Sequence, residues 1–110
     1  MNITEEARGD AFLISASGRL DSSTAGELEA VLPDRVGAHD RLVLSLADVP
    51  YVSSAGLRVL LIGAKTARAK GHRLVLAGLS ASVREVFDIS GFTSIFSIEP
   101  DVESALATLG

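Results

Sequence analysis

Residues 41–77 read RLVLSLADVPYVSSAGLRVLLIGAKTARAKGHRLVLA. The two ends of this stretch, Arg41–Leu46 and His72–Ala77, are near-continuous apolar runs. Strands covered on both faces, or joined in parallel, have that pattern. Between them, Ser54–Lys70 carries apolar residues at helical spacing and stops at Gly71. Strand, helix and strand in this order predict a β-α-β unit with a right-handed connection.

Working outward, Asn2–Arg8 and Ala11–Ser17 flank the turn signal Gly9-Asp10 and predict a hairpin. Gly18–Ser23 is a loop. Thr24-Ala25-Gly26-Glu27 has capping-box spacing, with Asp21 or Ser22 as other caps. Leu28, Val31 and Leu32 follow at helical spacing until Pro33, which breaks the helix unless it bends there. Ser80 or Ser82 opens a further helix with Val83, Val86 and Phe87 on one face, and Gly91 can end it in a left-handed cap. Ser94–Ile98 reads as a short strand. Pro100 fits the first turn of a last helix, with Val102, Ala105, Leu106 and Leu109 facing inward. The expected product is one α/β domain over residues 1–110. It has a small mixed sheet of about five strands, with an N-terminal hairpin, packed with about four helices.

The bulk numbers agree. A chain of 110 residues, 47% hydrophobic and 22% charged, has enough apolar material for one core. Formal net charge is −4 and no basic stripe runs along the chain, so no nucleic-acid partner is expected. Lys65, Arg68, Lys70 and Arg73 gather near one helix end, where cations complement the dipole; a phosphate-binding patch is the other reading. Without cysteine, disulfides and thiolate metal sites are excluded. MNITEEARGD has acids and no apolar core of a leader peptide, and no run is long enough to span a bilayer. A cytoplasmic protein without membrane insertion, monomeric by default, is expected.

The pair Ser53-Ser54 raises the functional question. One hydroxyl, most simply that of Ser54, caps the helix for about 1 kcal/mol. The helix itself is apolar on two sides. Leu57, Leu60, Leu61, Ala64 and Arg68 share one sector, and Ala55, Val59, Ile62 and Thr66 share another roughly opposite. Either another helix of the domain covers the second stripe or a partner docks on it. A hydroxyl at the helix start is also a candidate phosphoacceptor. A phosphate there would meet free N–H groups and the positive dipole end. It would add about 1.5 to 2 negative charges beside an apolar stripe.

Other chemistry lacks its parts. His39 and His72 are the only imidazoles, each beside a strand start, and no G-x-S-x-G elbow surrounds Ser54. There is no phosphate loop and no metal-ligand spacing, and Asp48 reads as a turn residue before Pro50. No enzyme activity, cofactor or metal is expected.

The combination GRLDSSTAGELEAVL (18–32), RLVLSLADVPYVSSAGLRVLLIGAK (41–65) and GHRLVLAGLSASVREVFDISGF (71–92) resembles the STAS family. More narrowly it is similar to the single-domain bacterial anti-sigma factor antagonists, over roughly Ile14 to Leu109. The resemblance implies a partner-switching function. An anti-sigma factor that is a serine/threonine kinase of the histidine-kinase-like ATPase fold phosphorylates a serine at the start of the helix after the third strand. A PP2C-type phosphatase reverses the mark. The unphosphorylated domain binds the kinase and frees the sigma factor.

The commonest family pattern there is Asp-Ser-Ser-Gly; here it is Ser53, Ser54, Ala55 and Gly56. The frequent acceptor, the second serine, is thus Ala55, which leaves Ser54 as acceptor and Ser53 as runner-up. The resemblance also implies partner contacts from Asp21, Ser22, Ser23 and Thr24. Asp21 could equally be a turn or cap acid. Ser53, Ala55, Gly56, Arg58, Val59 and Ile62 complete the expected contact surface. Arg58 could meet an acidic group or a phosphate, or be merely solvated. A second STAS role, an accessory subunit of a transport system such as a phospholipid-trafficking ATPase complex, would need no kinase.

Overall fold

Five consecutive residues of one strand, Leu42–Leu46, are buried, and the sheet is built around them. The computed structural model describes residues 1–110. The elements are β1 (Asn2–Arg8), β2 (Ala11–Ser17), α1 (Ala25–Glu29), α2 (Leu32–Ala38), β3 (Arg41–Asp48) and α3 (Ser54–Lys70). They continue with β4 (Arg73–Ala77), α4 (Ala81–Ile89), β5 (Ser97–Glu99) and α5 (Val102–Leu109). The sheet order is β1-β2-β3-β4-β5. β1 and β2 form the antiparallel hairpin, turning at Gly9 with φ +60°, and β2 to β5 are parallel.

The expected fold class holds. The two sheet faces differ. Ile14, Leu42, Leu44, Leu46, Leu74 and Leu76 point to the side where α1 to α4 pack and form most of the core. Leu13, Val43, Val75 and Ala77 point to the other, where Ala105 and Leu109 of α5 cover them. Alternate residues of β3 thus serve opposite layers, which is why its sequence has no polar alternation.

Local chemistry moves several boundaries. Pro33 does break its helix. Rather than one bent helix there are two short ones, with Pro33 in the first turn of α2, where its missing N–H costs nothing. Thr24 precedes α1 without a side-chain cap bond. The expected strand at Ser94–Ile98 is shortened. Gly91 takes φ +74°, and Phe92–Ser94 make a single 3-10 turn. That turn brings Phe92 and Phe96 together, and Phe96 packs on Phe87 of α4, with ring centroids 5.6 Å apart. Pro100 lies one residue ahead of the last helix's cap; Asp101 caps α5 by accepting from the Ser104 amide at 2.7 Å.

The rotation of α3 differs from the expectation. Gly56, Leu57, Val59, Leu60, Gly63 and Ala67 are buried. Val59 is 1% exposed, so it is core and offers no docking surface. One turn on, a Cβ at Gly63 would lie 2.9 Å from Leu32 Cδ2, which shows how closely α2 lies on that side. The domain's own short helices therefore cover much of the second stripe. Leu61 and Ala64, expected in the core, are half-buried, and Arg68 is exposed.

Candidate functional site: the mouth of helix α3

The β2–α1 loop and the β3–α3 loop lie side by side at the C-terminal ends of two parallel strands, where open α/β sheets carry their binding sites. Backbone hydrogen bonds stitch them together. Gly18 N donates to Asp48 O (3.0 Å), Leu20 N to Tyr51 O (2.9 Å) and Ser53 N to Leu20 O (2.9 Å). Leu20 and Val52, both buried, pair as an isolated parallel bridge that anchors the loops to the core. Gly56 is buried against the same leucine, so the expected contact residue has no side chain or surface to present. Its part is to let the first turn of α3 approach Leu20.

The two serines divide the labour. Ser53, with extended backbone (φ −91°, ψ 175°), is the N-cap, and its Oγ accepts from Gly56 N at 3.4 Å. This corrects the expectation that Ser54 caps. Ser54 is the first helical residue and is exposed. The amides of a helix's first turn have no intrahelical acceptor, so the Ser54 hydroxyl stands beside the positive end of a 17-residue helix. No acidic residue occupies the first turn of α3.

Asp21 is a turn acid. Its Oδ1 accepts from Ser23 N (3.0 Å) and Ser23 Oγ (2.7 Å), and Arg19 Nε lies 3.6 Å from Oδ2. The Ser23 hydroxyl, then the Ser23 amide, with the Arg19 charge as a lesser contribution, hold its carboxyl below the ordinary range. Thr24 Oγ1 accepts from Asp21 N (3.0 Å) and donates to Arg19 O (2.7 Å), which explains why it caps nothing. The loop is a self-satisfied Asx turn that leaves Ser22 and Ser23 exposed.

One pair escaped the sequence reading. The Arg19 guanidinium lies over the Tyr51 ring, 4.2 Å from its centroid, and Tyr51 is 40% exposed. The two belong to different loops, so only the Leu20–Tyr51 backbone register could have revealed the contact. Arg58 is 70% exposed on its side chain and lies 3.8 Å from Glu29. Ala55 and Ile62 are half-buried along the helix below.

The structure therefore gathers Arg19, Asp21, Ser22, Ser23, Tyr51, Ser53 and Ser54 at one end of the sheet, with Arg58 one turn further along α3. No cavity opens there; the surface grooves lie along the C-terminal half of α3 and beside α5. His39 stacks on Phe12 and His72 Nδ1 bonds with Val36 O, both at the N-terminal ends of strands, opposite the serines. No cluster of metal-ligating side chains is present, and no helix is long and apolar enough to cross a membrane. Chemically the site presents an exposed hydroxyl at a helix start, with no imidazole beside it.

Comparison with known proteins gives this surface a family. The STAS domain model matches residues 2–105. BtrV of Bordetella bronchiseptica, classed by its name among anti-sigma factor antagonists, is 42% identical over 108 residues, covering 97% of this chain and 93% of BtrV. The anti-sigma-B factor antagonist of Staphylococcus epidermidis is 31% identical over 105 residues, covering 94% of this chain and 96% of that protein. Among solved structures, the anti-sigma factor antagonist SpoIIAA of Bacillus superposes in its unphosphorylated form with TM-score 0.74 at 18% identity, covering 98% of this chain and 97% of that one. Its phosphorylated form gives 0.75 at 20% identity, covering 99% and 100%. With a matched model over nearly its whole length and a relative 42% identical, the chain belongs to the STAS domain family.

Proposed function

We propose that this chain is a phosphorylation-switched antagonist. Unphosphorylated, it docks through the surface around Ser54 on an anti-sigma factor that is itself a serine/threonine kinase of the histidine-kinase-like ATPase type, and so frees a sigma factor. Phosphate on Ser54 releases it, and a PP2C-type phosphatase restores it. One observation carries this reading: Ser53 already caps α3, which leaves the Ser54 hydroxyl exposed and without a structural duty.

The physics of the switch is local. A phosphate adds about 1.5 to 2 negative charges. At a helix N-terminus that charge is favourable by about 0.3–1 kcal/mol, so the fold is spared. On the docking surface the same charge must be desolvated or faced with a like charge, and association weakens. The names of the similar proteins support the regulatory role. The likeness of the fold to SpoIIAA in both of its forms supports a switch that leaves the architecture alone.

Phosphosite mapping after incubation with the cognate kinase and ATP tests the proposal. One phosphate on Ser54, retained in Ser53→Ala and lost in Ser54→Ala, is expected. A stable complex indifferent to ATP, with no phosphate added, would instead favour the constitutive transport-subunit role.

A further inference from the structure

Ten side chains carry Lys or Arg charge. Six of them, Arg8, Arg19, Arg35, Arg41, Arg58 and Arg84, lie within ion-pair distance of a carboxylate of this chain. The other four, Lys65, Arg68, Lys70 and Arg73, have no carboxylate within ion-pair distance; Arg73 instead donates to Thr108 O of α5 at 3.2 Å, which leaves Lys65 and Arg68 beside one another on α3. Lys65 and Arg68 line a groove with Leu61, Ala64 and Ile95. That groove runs into a second one, which shares Ala64, Arg68 and Ile95 and adds Arg73, Leu74 and Phe96. Ile95 is 44% exposed, one of three large apolar side chains left in solvent. The helix dipole accounts for a cation in the last turn of α3. It does not account for Lys65, more than a turn earlier, or for the apolar floor between Lys65 and Ile95.

We propose that this groove is a second docking surface, and that its occupant is an acidic, amphipathic peptide segment of a partner protein. Apolar side chains of the segment lie on Leu61, Ala64 and Ile95, and its Asp or Glu residues meet Lys65 and Arg68. A groove between α3 and the turn at Ile95, with an apolar floor and a cationic rim, suits a helix-in-groove mode. The charge argues for a short acidic segment over a polyanion. Two cations without a carboxylate partner, on a chain of net charge −4, give a local attraction, and a nucleic acid would be repelled by the rest of the surface. At 1.5 Å per residue, Arg68 lies about 21 Å along α3 from Ser54, so the two surfaces are separate.

Random peptides displayed on phage and selected against the full chain provide the test. Selection is expected to enrich segments that combine Asp or Glu with Leu, Ile or Phe. A synthetic copy of the enriched peptide should shift the amide resonances of Leu61, Ala64 and Ile95. Its affinity should fall by about tenfold or more in Lys65→Glu/Arg68→Glu, and comparably in Ile95→Asp, with unfolding midpoints close to wild type. Absence of a binder, enrichment of acid-free sequences, or an acidic peptide indifferent to both variants would overturn the proposal. So would tighter binding to phosphatidylglycerol vesicles or a single-stranded oligonucleotide than to the selected peptide.

Discussion

A Cβ on Gly56 would lie 2.7 Å from Cγ of Leu20 and 2.9 Å from its carbonyl oxygen. The same carbonyl accepts the Ser53 amide, so one residue of the β2–α1 loop sets both the cap and the first turn of α3. Replacing Gly56 by Ala should push the loop away at a cost of about 1–3 kcal/mol. Chemical denaturation measures this cost. A change below about 0.5 kcal/mol would show that the two loops are not held in contact.

The serines should separate in stability as they do in geometry. Ser53→Ala removes the cap and should cost about 1 kcal/mol. Ser54→Ala removes an exposed hydroxyl that caps nothing and should stay within about 0.5 kcal/mol of wild type. Unfolding curves of the two variants under one condition decide it. An equal loss in both, or a larger one in Ser54→Ala, would reverse the assignment.

Val59 and Ile62 separate core from surface on one helix. Val59→Glu buries a charge beneath α1 and α2 and should cost more than about 3 kcal/mol, enough to unfold much of the protein. Ile62→Glu, at a half-buried position, should stay folded and lose affinity for the proposed kinase partner. Circular dichroism followed by a binding titration checks both. Native-like stability of Val59→Glu would mean that the short helices lift off α3 freely.

These variants mark where the sequence is legible. β3, β4 and α3 could be read because burial on both faces writes continuous apolar runs, and because Gly71 ends the helix with φ +69°. The choice of cap could not be read. It depends on the Ser53–Leu20 hydrogen bond, made by residues 33 apart in the chain. The rotation of α3 on the sheet escaped for a similar reason. Val59 and Leu61 are both apolar, and only the seating of Leu32 against Gly63 turns one inward and leaves the other half-open. The turn role of Asp21 could not be read from spacing alone, because it rests on the Ser23 amide and hydroxyl folding back onto its carboxylate.

Asp21 should also leave a signature in pH. Its carboxyl is held below the ordinary range, chiefly by the Ser23 hydroxyl and amide. A depressed acid stabilises the fold above its unfolded pKa, about 3.9, and that contribution is lost as pH falls through the lower folded value. Asp21→Asn should therefore melt below wild type at neutral pH, and the gap should close on acidification below about pH 3.9. Thermal melts across that range test the sign. A gap that persists unchanged at low pH would remove the ionised carboxylate from the account.

Charge on Ser54 should break the proposed complex without disturbing the fold. Calorimetric titration of the kinase partner with unphosphorylated and Ser54-phosphorylated protein, each checked by its thermal midpoint, tests it most directly. Matching midpoints and an affinity lower by about tenfold or more for the phosphorylated form are expected. Equal affinities, or a loss of affinity accompanied by a collapsed midpoint, would contradict it.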